Sequence, residues 1–143
     1  MAVDPHLRNV PIFQDCSEAE LAEITRMATQ IEVEAGTTLA TQGELGHEFG
    51  VIIEGEASVI KDGRKVSTLG PGDYFGEIAL LDSIVRTASV VADTQVVLEV
   101  IDKRGFNTLL DDIPSLSRSL LRGVVRRCVA LDDELLEIRA DNG

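Results

Sequence analysis

Two side chains of opposite charge, Glu77 and Arg86, stand nine residues apart around a short apolar turn that opens with Gly76. Glu77 can accept from sugar hydroxyls, and Arg86 carries a permanent planar fork of donors suited to a phosphate. Gly76 lacks a side chain, so backbone can approach a ligand there. Residue types in this order form a candidate clamp for a phosphate joined to a ribose, which is the chemistry of a small nucleotide that is sensed.

A cyclic nucleotide makes particular demands on such a clamp. Its phosphodiester carries one negative charge on two free oxygens, its ribose keeps the 2′-hydroxyl, and its base is a flat apolar plate. One fixed cation and the free N–H groups of a helix start neutralise that phosphate without a metal. The run from Phe75 through Gly76, Glu77, Ile78, Ala79 and Leu80 offers such a start, with free N–H groups near Ile78 and Ala79. Arg86 closes the ring from the loop, and Thr87 adds a hydroxyl near the base. Singly these features are weak, because a Glu–Arg pair also reads as a surface ion pair. Their order inside a strand-rich stretch with helices before and after it strengthens the signal.

The elements that must position the clamp are legible from local patterns. Ser17 with Glu20 three residues on is a capping box, and Leu21, Ile24 and Ala28 follow at helical spacing, so a helix is expected over 17–29 with Phe13 stapling it to the core. From residue 31 to 101 the pattern changes to short β-rich runs between glycines, with strands expected at 31–34, 37–40, 49–54, 57–61, 64–69, 88–92 and 96–101. Asp62-Gly63 is a two-residue hairpin signal. Many short strands at close spacing imply a mainly β barrel or jelly roll with flanking helices.

Helical periodicity returns after Asp102, a candidate N-cap, to about residue 110, and again after Pro114 to about 138. In the last helix Leu121, Val124, Cys128, Leu131, Leu135 and Ile138 make a heptad seam of about two and a half repeats. It reads either as a terminal helix laid across its own barrel or as a homodimerising helix. Arg118, Arg122 and Arg126 form a stripe on the same helix, with Arg127 beside it; this reads as a solvated face or, for Arg122 or Arg126 with Val125 or Val129, as a cap stacked on a purine.

Composition narrows the function class. The 143 residues suit one domain with one core, and 44% hydrophobic content with 3% aromatic residues suits a core of Val, Ile and Leu. With 25 acidic against 13 basic residues, the net charge of −12 opposes phosphate backbones and anionic membranes, so neither direct nucleic-acid binding nor membrane association is expected. The N-terminal residues show no signal-peptide pattern and no apolar run reaches the ~18 residues of a membrane span, so the expected location is the cytoplasm. Cys16 and Cys128 lack metal-site spacing, and no metal is expected.

The pattern Phe75-Gly-Glu-Ile-Ala-Leu-Leu81 followed by Arg86-Thr-Ala-Ser-Val90 resembles the phosphate-binding cassette of the cyclic-nucleotide-binding domain family, found in catabolite activators, kinase regulatory subunits and nucleotide-gated channels. Glycines 36, 43, 55, 70 and 72 and the run Val51–Val59 extend the resemblance over nearly the whole chain. It implies a double-wound β-roll (residues 31–101, cassette 75–90), an N-terminal helical part (1–30) and two C-terminal helices (102–140), the last a lid over the base. It implies backbone contacts from Gly76 and Ala79, a ribose contact from Glu77, a phosphate contact from Arg86, and pocket walls from Thr87 and Ala88. Val85 departs from the Pro common before the family's Arg, which loosens the loop. Thr87 leaves the base open between cAMP and cGMP, with cAMP favoured. Gly105, Gly123 and the Ile113-Pro114 break suit a mobile lid, in which Leu80 would repack against Phe106, Leu109 and Leu110.

The expected role is a non-enzymatic sensor that passes its state to an effector protein. No helix-turn-helix follows the lid helix within the chain, against a DNA-binding activator. Two rivals remain: an interaction module of the same fold without a nucleotide, which the intact Glu77 and Arg86 oppose, and a cupin-like metalloenzyme, which would need more clustered histidines than His6 and His47 supply.

Overall fold

A computed structural model of the chain describes residues 5–76, 85–123 and 125–126. Among the described residues, eight strands form two four-stranded antiparallel sheets. The first contains β1 (Thr29–Val33), β8 (Val96–Asp102), β3 (Glu48–Glu54) and β6 (Tyr74–Phe75), in the order β1-β8-β3-β6. The second contains β2 (Thr38–Ala40), β7 (Ser89–Ala92), β4 (Ala57–Lys61) and β5 (Arg64–Leu69), in the order β2-β7-β4-β5. The expected mainly β class with flanking helices is the observed one.

Alternation along the two central strands of the first sheet builds two cores, because successive side chains point to opposite faces. On β3, Phe49 and Val51 join the helices, while Ile52 faces the second sheet, where β8 adds Val96 and Leu98 and β4 and β7 add Ala57, Val90 and Ala92. Each of the large side chains buried this way contributes about 1.5–3 kcal/mol. One register slip would exchange the two sets, so pairing is strongly specified.

Helices cover the outer face of the first sheet. Among the described residues they are α1 (Pro5–Arg8), α2 (Glu18–Met27), α3 (Lys103–Asp112) and α4 (residues 114–123 and 125–126), with a 3-10 turn at Pro11–Phe13. Ser17 caps α2: its Oγ accepts from the Glu20 N–H at 3.2 Å, and the Glu20 carboxylate accepts from the Ser17 N–H at 2.8 Å. The helix stops at Met27, two residues earlier than expected, because Ala28 turns extended and Thr29 pairs with Val100. Asp102 caps α3, accepting from the Gly105 N–H at 2.7 Å. Ile113 leaves the helical region at φ −125°, ψ 87°, as a residue before proline is pushed to do, and α4 resumes at once. The Ser117 hydroxyl donates back to the Leu110 carbonyl at 3.2 Å across this break.

Phe13 is buried beside Leu21, Ile24, Phe106, Leu109, Leu116 and Leu120, in the stapling position expected of it. The Phe49 ring stacks on Phe106 at 4.8 Å and tilts against Tyr74 at 5.6 Å. Gly105 and Gly123, read in sequence as marks of mobility, are close-approach positions. A Cβ on Gly105 would lie 3.1 Å from the Asp102 carboxylate, 3.3 Å from Ile101 and 3.6 Å from the Met27 sulfur. A Cβ on Gly123 would collide with the Tyr74 hydroxyl. The heptad positions Val124, Cys128, Leu131, Leu135 and Ile138 lie outside the described residues, whereas Leu121 and Val125 are exposed.

Candidate functional site

Arg86 is held at both backbone and side chain. The segment after β2 runs antiparallel to it: the Arg86 N–H donates to the Glu44 carbonyl at 2.8 Å, and the Gly43 N–H donates to the Arg86 carbonyl at 2.9 Å. Leu45 and Val85 form the adjoining β-bridge. The departure from proline at Val85 therefore leaves this segment paired. At the far end of the side chain, Nη2 donates to the Glu48 carbonyl at 3.1 Å. Partial burial pushes the guanidinium below its usual range by desolvation, and the nearby Glu48 and Glu44 carboxylates oppose that shift. The group stays cationic at neutral pH, since the ordinary arginine value leaves a wide margin.

Gly76 lies against this cation. Its φ is +94°, and a Cβ there would sit 2.5 Å from the Glu48 carbonyl oxygen and 3.1 Å from Arg86 Nη1. The positive φ and the lack of room together require glycine. Phe75, immediately before it, pairs with Gly50 of β3, and its ring crosses the space a Gly50 side chain would occupy, 2.5 Å from the ideal Cβ. Glu48, Gly50 and Phe75, with Val33, Leu39 and Val100, line a cavity of about 240 Å³ between the sheets. Arg86 thus bonds the carbonyl of Glu48, one of the residues that line the apolar cavity, and lies beside Gly76. A single cation beside an apolar hollow is the arrangement that a small organic anion with a flat plate would fill.

The structure brings Phe75, Gly76 and Arg86 together around Glu48, with Thr87 exposed and Ala88 half-buried in the bend that follows. Glu77, Ile78, Ala79 and Leu80 lie outside the described residues, as do Arg127 and Val129. Arg122 faces the N-terminal segment, 3.6 Å from the Asp15 carboxylate in an exposed pair, and Val125 and Arg126 are exposed. His47 is exposed, and among the described residues no three His, Cys, Asp or Glu side chains gather to hold a metal ion. No described helix is long and apolar enough to cross a membrane.

Sequence reading missed the carbonyl of Glu48 and the inner faces of β1, β2, β3 and β8 as parts of the site. A glycine inside a strand flags close approach of another group, so Gly50, between Phe49 and Val51, was the available signal for the first of these surfaces.

Comparison with known proteins agrees with this geometry. The family model described as the cyclic nucleotide-binding domain matches residues 30–112. The cAMP-dependent protein kinase regulatory subunit of Yarrowia lipolytica is 40% identical over 112 residues, covering 77% of this chain and 30% of its own. The chain therefore spans about a third of the length of the kinase subunits it matches. Among solved structures, the Thermus thermophilus catabolite activator protein superposes with a TM-score of 0.81 at 27% identity, covering 87% of this chain and 61% of that one. The cAMP-bound PfPKA-R superposes with a TM-score of 0.81 at 29% identity, covering 90% and 44%. With the cassette residues Phe75, Gly76 and Arg86 brought together around Glu48, and the family model matching residues 30–112, more than half of the chain, the chain belongs to the cyclic nucleotide-binding domain family.

Proposed function

We propose that this domain senses cAMP, binding it with Arg86 on the cyclic phosphate, Glu77 on the ribose 2′-hydroxyl, and Gly76, Ile78 and Ala79 supplying backbone contacts. The observation that carries the reading is the fixed Arg86 guanidinium. One of its nitrogens is engaged by the carbonyl of Glu48, a residue that lines the apolar cavity, and it lies against Gly76. A monoanionic phosphodiester matches one cation, and the guanidinium supplies paired N–H groups to two free oxygens. The Yarrowia lipolytica relative, a cAMP-dependent regulatory subunit, supports cAMP over cGMP.

The signal leaves through the C-terminal helices. Tyr74, two residues before Gly76, touches Phe49, which stacks on Phe106 of α3, and the Tyr74 hydroxyl abuts Gly123 of α4. Inward movement of the cassette would press on both helices through this one aromatic group, and the favoured helix arrangement would change with ligand affinity. Arg122 and Arg126, with Val125 and Val129, are the proposed base cap, which requires Arg122 to exchange Asp15 for the purine. The output passes to an effector protein in the cytoplasm, and no catalytic step is assigned to the domain.

Calorimetry with cAMP and cGMP on the wild type and Arg86→Ala tests the assignment. The expected result is one site, tighter for cAMP, and a loss of at least about thirtyfold in the variant, in line with the ~2–5 kcal/mol seen when one partner of a desolvated charge pair is removed. Absence of binding by either nucleotide to the wild type would leave the fold as an interaction module.

A further inference from the structure

Arg86 takes its backbone position from a segment that belongs to neither sheet. Residues 42–45 connect β2 to β3, and they present a short ladder to 85–89: Leu45 bridges Val85, Glu44 and Gly43 bond both sides of Arg86, and the Gln42 N–H donates to Ser89 Oγ at 2.9 Å. An irregular connection of this kind would drift without an anchor of its own.

Gln42 supplies the anchor through both ends of its side-chain amide. Nε2 donates to Asp62 Oδ1 at 2.8 Å, and Oε1 accepts from the Asp62 backbone N–H at 2.9 Å. These partners set the orientation of the amide, because the N–H can only donate and the carboxylate only accepts. Asp62 is itself rigidly placed. It stands at φ +53° in the two-residue turn of the β4–β5 hairpin, closed by the Lys61–Arg64 pair. Hydrogen bonds therefore tie the hairpin tip to Gln42, and the adjoining Gly43 and Glu44 to the Arg86 backbone, joining Asp62 to segments twenty residues before it and twenty-four after it.

We propose that Gln42 is a positioning residue for Arg86, with the Asp62 turn as its anchor, so that phosphate affinity depends on a hairpin remote from the ligand. The proposal rests on the reading of Arg86 as the phosphate ligand. Its chemistry predicts a specific rescue. Gln42→Glu removes the Nε2 donor and sets a carboxylate against the Asp62 carboxylate; adding Asp62→Asn provides a new amide donor for the introduced carboxylate and restores the pair with polarity reversed.

The test uses the full chain, with cAMP affinity from calorimetry at neutral pH and the unfolding midpoint recorded alongside. Gln42→Glu is expected to weaken cAMP five- to tenfold, and the double variant Gln42→Glu/Asp62→Asn to return within twofold of wild type. In an Arg86→Ala background, where the positioned guanidinium is removed, Gln42→Glu should change the residual affinity by less than twofold. Wild-type affinity in Gln42→Glu, no recovery in the double variant, or an equal penalty in both backgrounds would overturn the proposal. If wild type binds neither cAMP nor cGMP, the ligand reading fails separately, and hydrogen exchange at the Gly43 and Arg86 amides decides the positioning role. Exchange at least tenfold faster in Gln42→Glu and restored in the double variant supports it; unchanged exchange refutes it.

Discussion

Replacing Gly76 with alanine separates backbone strain from steric displacement of the cation. Gly36, in the turn between β1 and β2, provides the reference, since its φ of +89° is close to the +94° of Gly76 and a Cβ there would meet nothing within 4 Å. Gly36→Ala should therefore cost only the left-handed conformation, about 1–2 kcal/mol. Gly76→Ala carries the same strain and a collision. Its Cβ would lie 2.5 Å from the Glu48 carbonyl oxygen, about 0.8 Å inside the closest C–H···O approach of about 3.3 Å. That oxygen belongs to the first residue of β3, paired with Asp102, so relief requires moving a central strand or the Gly76 loop. Overpacking of this kind costs about 1–3 kcal/mol, for a total of about 2–5 kcal/mol.

At about 3 °C per kcal/mol for a domain of this length, the expected falls in unfolding midpoint are about 3–6 °C for Gly36→Ala and about 6–15 °C for Gly76→Ala. Urea unfolding with an unchanged slope would confirm that stability alone has shifted. Calorimetry supplies the decisive comparison. The same Cβ would stand 3.1 Å from Arg86 Nη1, so Gly76→Ala should weaken cAMP at least tenfold while Gly36→Ala leaves it within twofold. Equal destabilisation by the two substitutions, together with equal cAMP affinity, would refute the placement of Gly76 against Glu48 and Arg86.

Gly123→Ala should destabilise by about 1–3 kcal/mol through collision with the Tyr74 hydroxyl, and adding Tyr74→Phe should recover part of that loss in urea unfolding. Ser17→Ala removes the cap of α2 and should cost about 1 kcal/mol by the same measurement. Burial, assisted by the nearby Glu20 and Asp15 carboxylates, raises the Cys16 thiol above its ordinary value. The folded state thus favours the protonated thiol: its contribution is complete below the unfolded thiol's pKa and is lost as pH rises through the higher folded value. Peptide mapping after brief iodoacetamide treatment should show Cys16 alkylated more slowly in the folded chain than in the unfolded one near pH 8.5, with the gap closing at higher pH.

Local chemistry was readable directly from the chain. The Ser17–Glu20 box, the Asp102 cap, the Ile113-Pro114 break and the Asp62-Gly63 turn each depend on atoms within four residues of one another, and all occur as read. The strands Ala57–Lys61 and Arg64–Leu69 match to the residue because that turn registers them. The cassette motif likewise places Arg86 and Gly76 as partners in a site, since their spacing along a family pattern carries that information. The two-residue strand Tyr74–Phe75 was missed for the opposite reason: it is too short for a period and exists only because β3 offers it Val51 and Gly50. Thr29, expected to end a helix, opens β1 because Val100 lies opposite it, seventy-one residues away.

The same division runs through the site. The charge of the candidate site follows from residue types, but what holds its cation does not. The Glu48 carbonyl and the cavity walls act through backbone atoms and through faces that no residue type announces. Gly123 shows the limit most plainly, since a glycine in a helix can signal freedom or crowding, and only Tyr74, brought in by packing, decides that here it is crowding. Interactions within a turn are a property of the chain, whereas contacts across tens of residues exist only once two sheets and their helices have excluded water together.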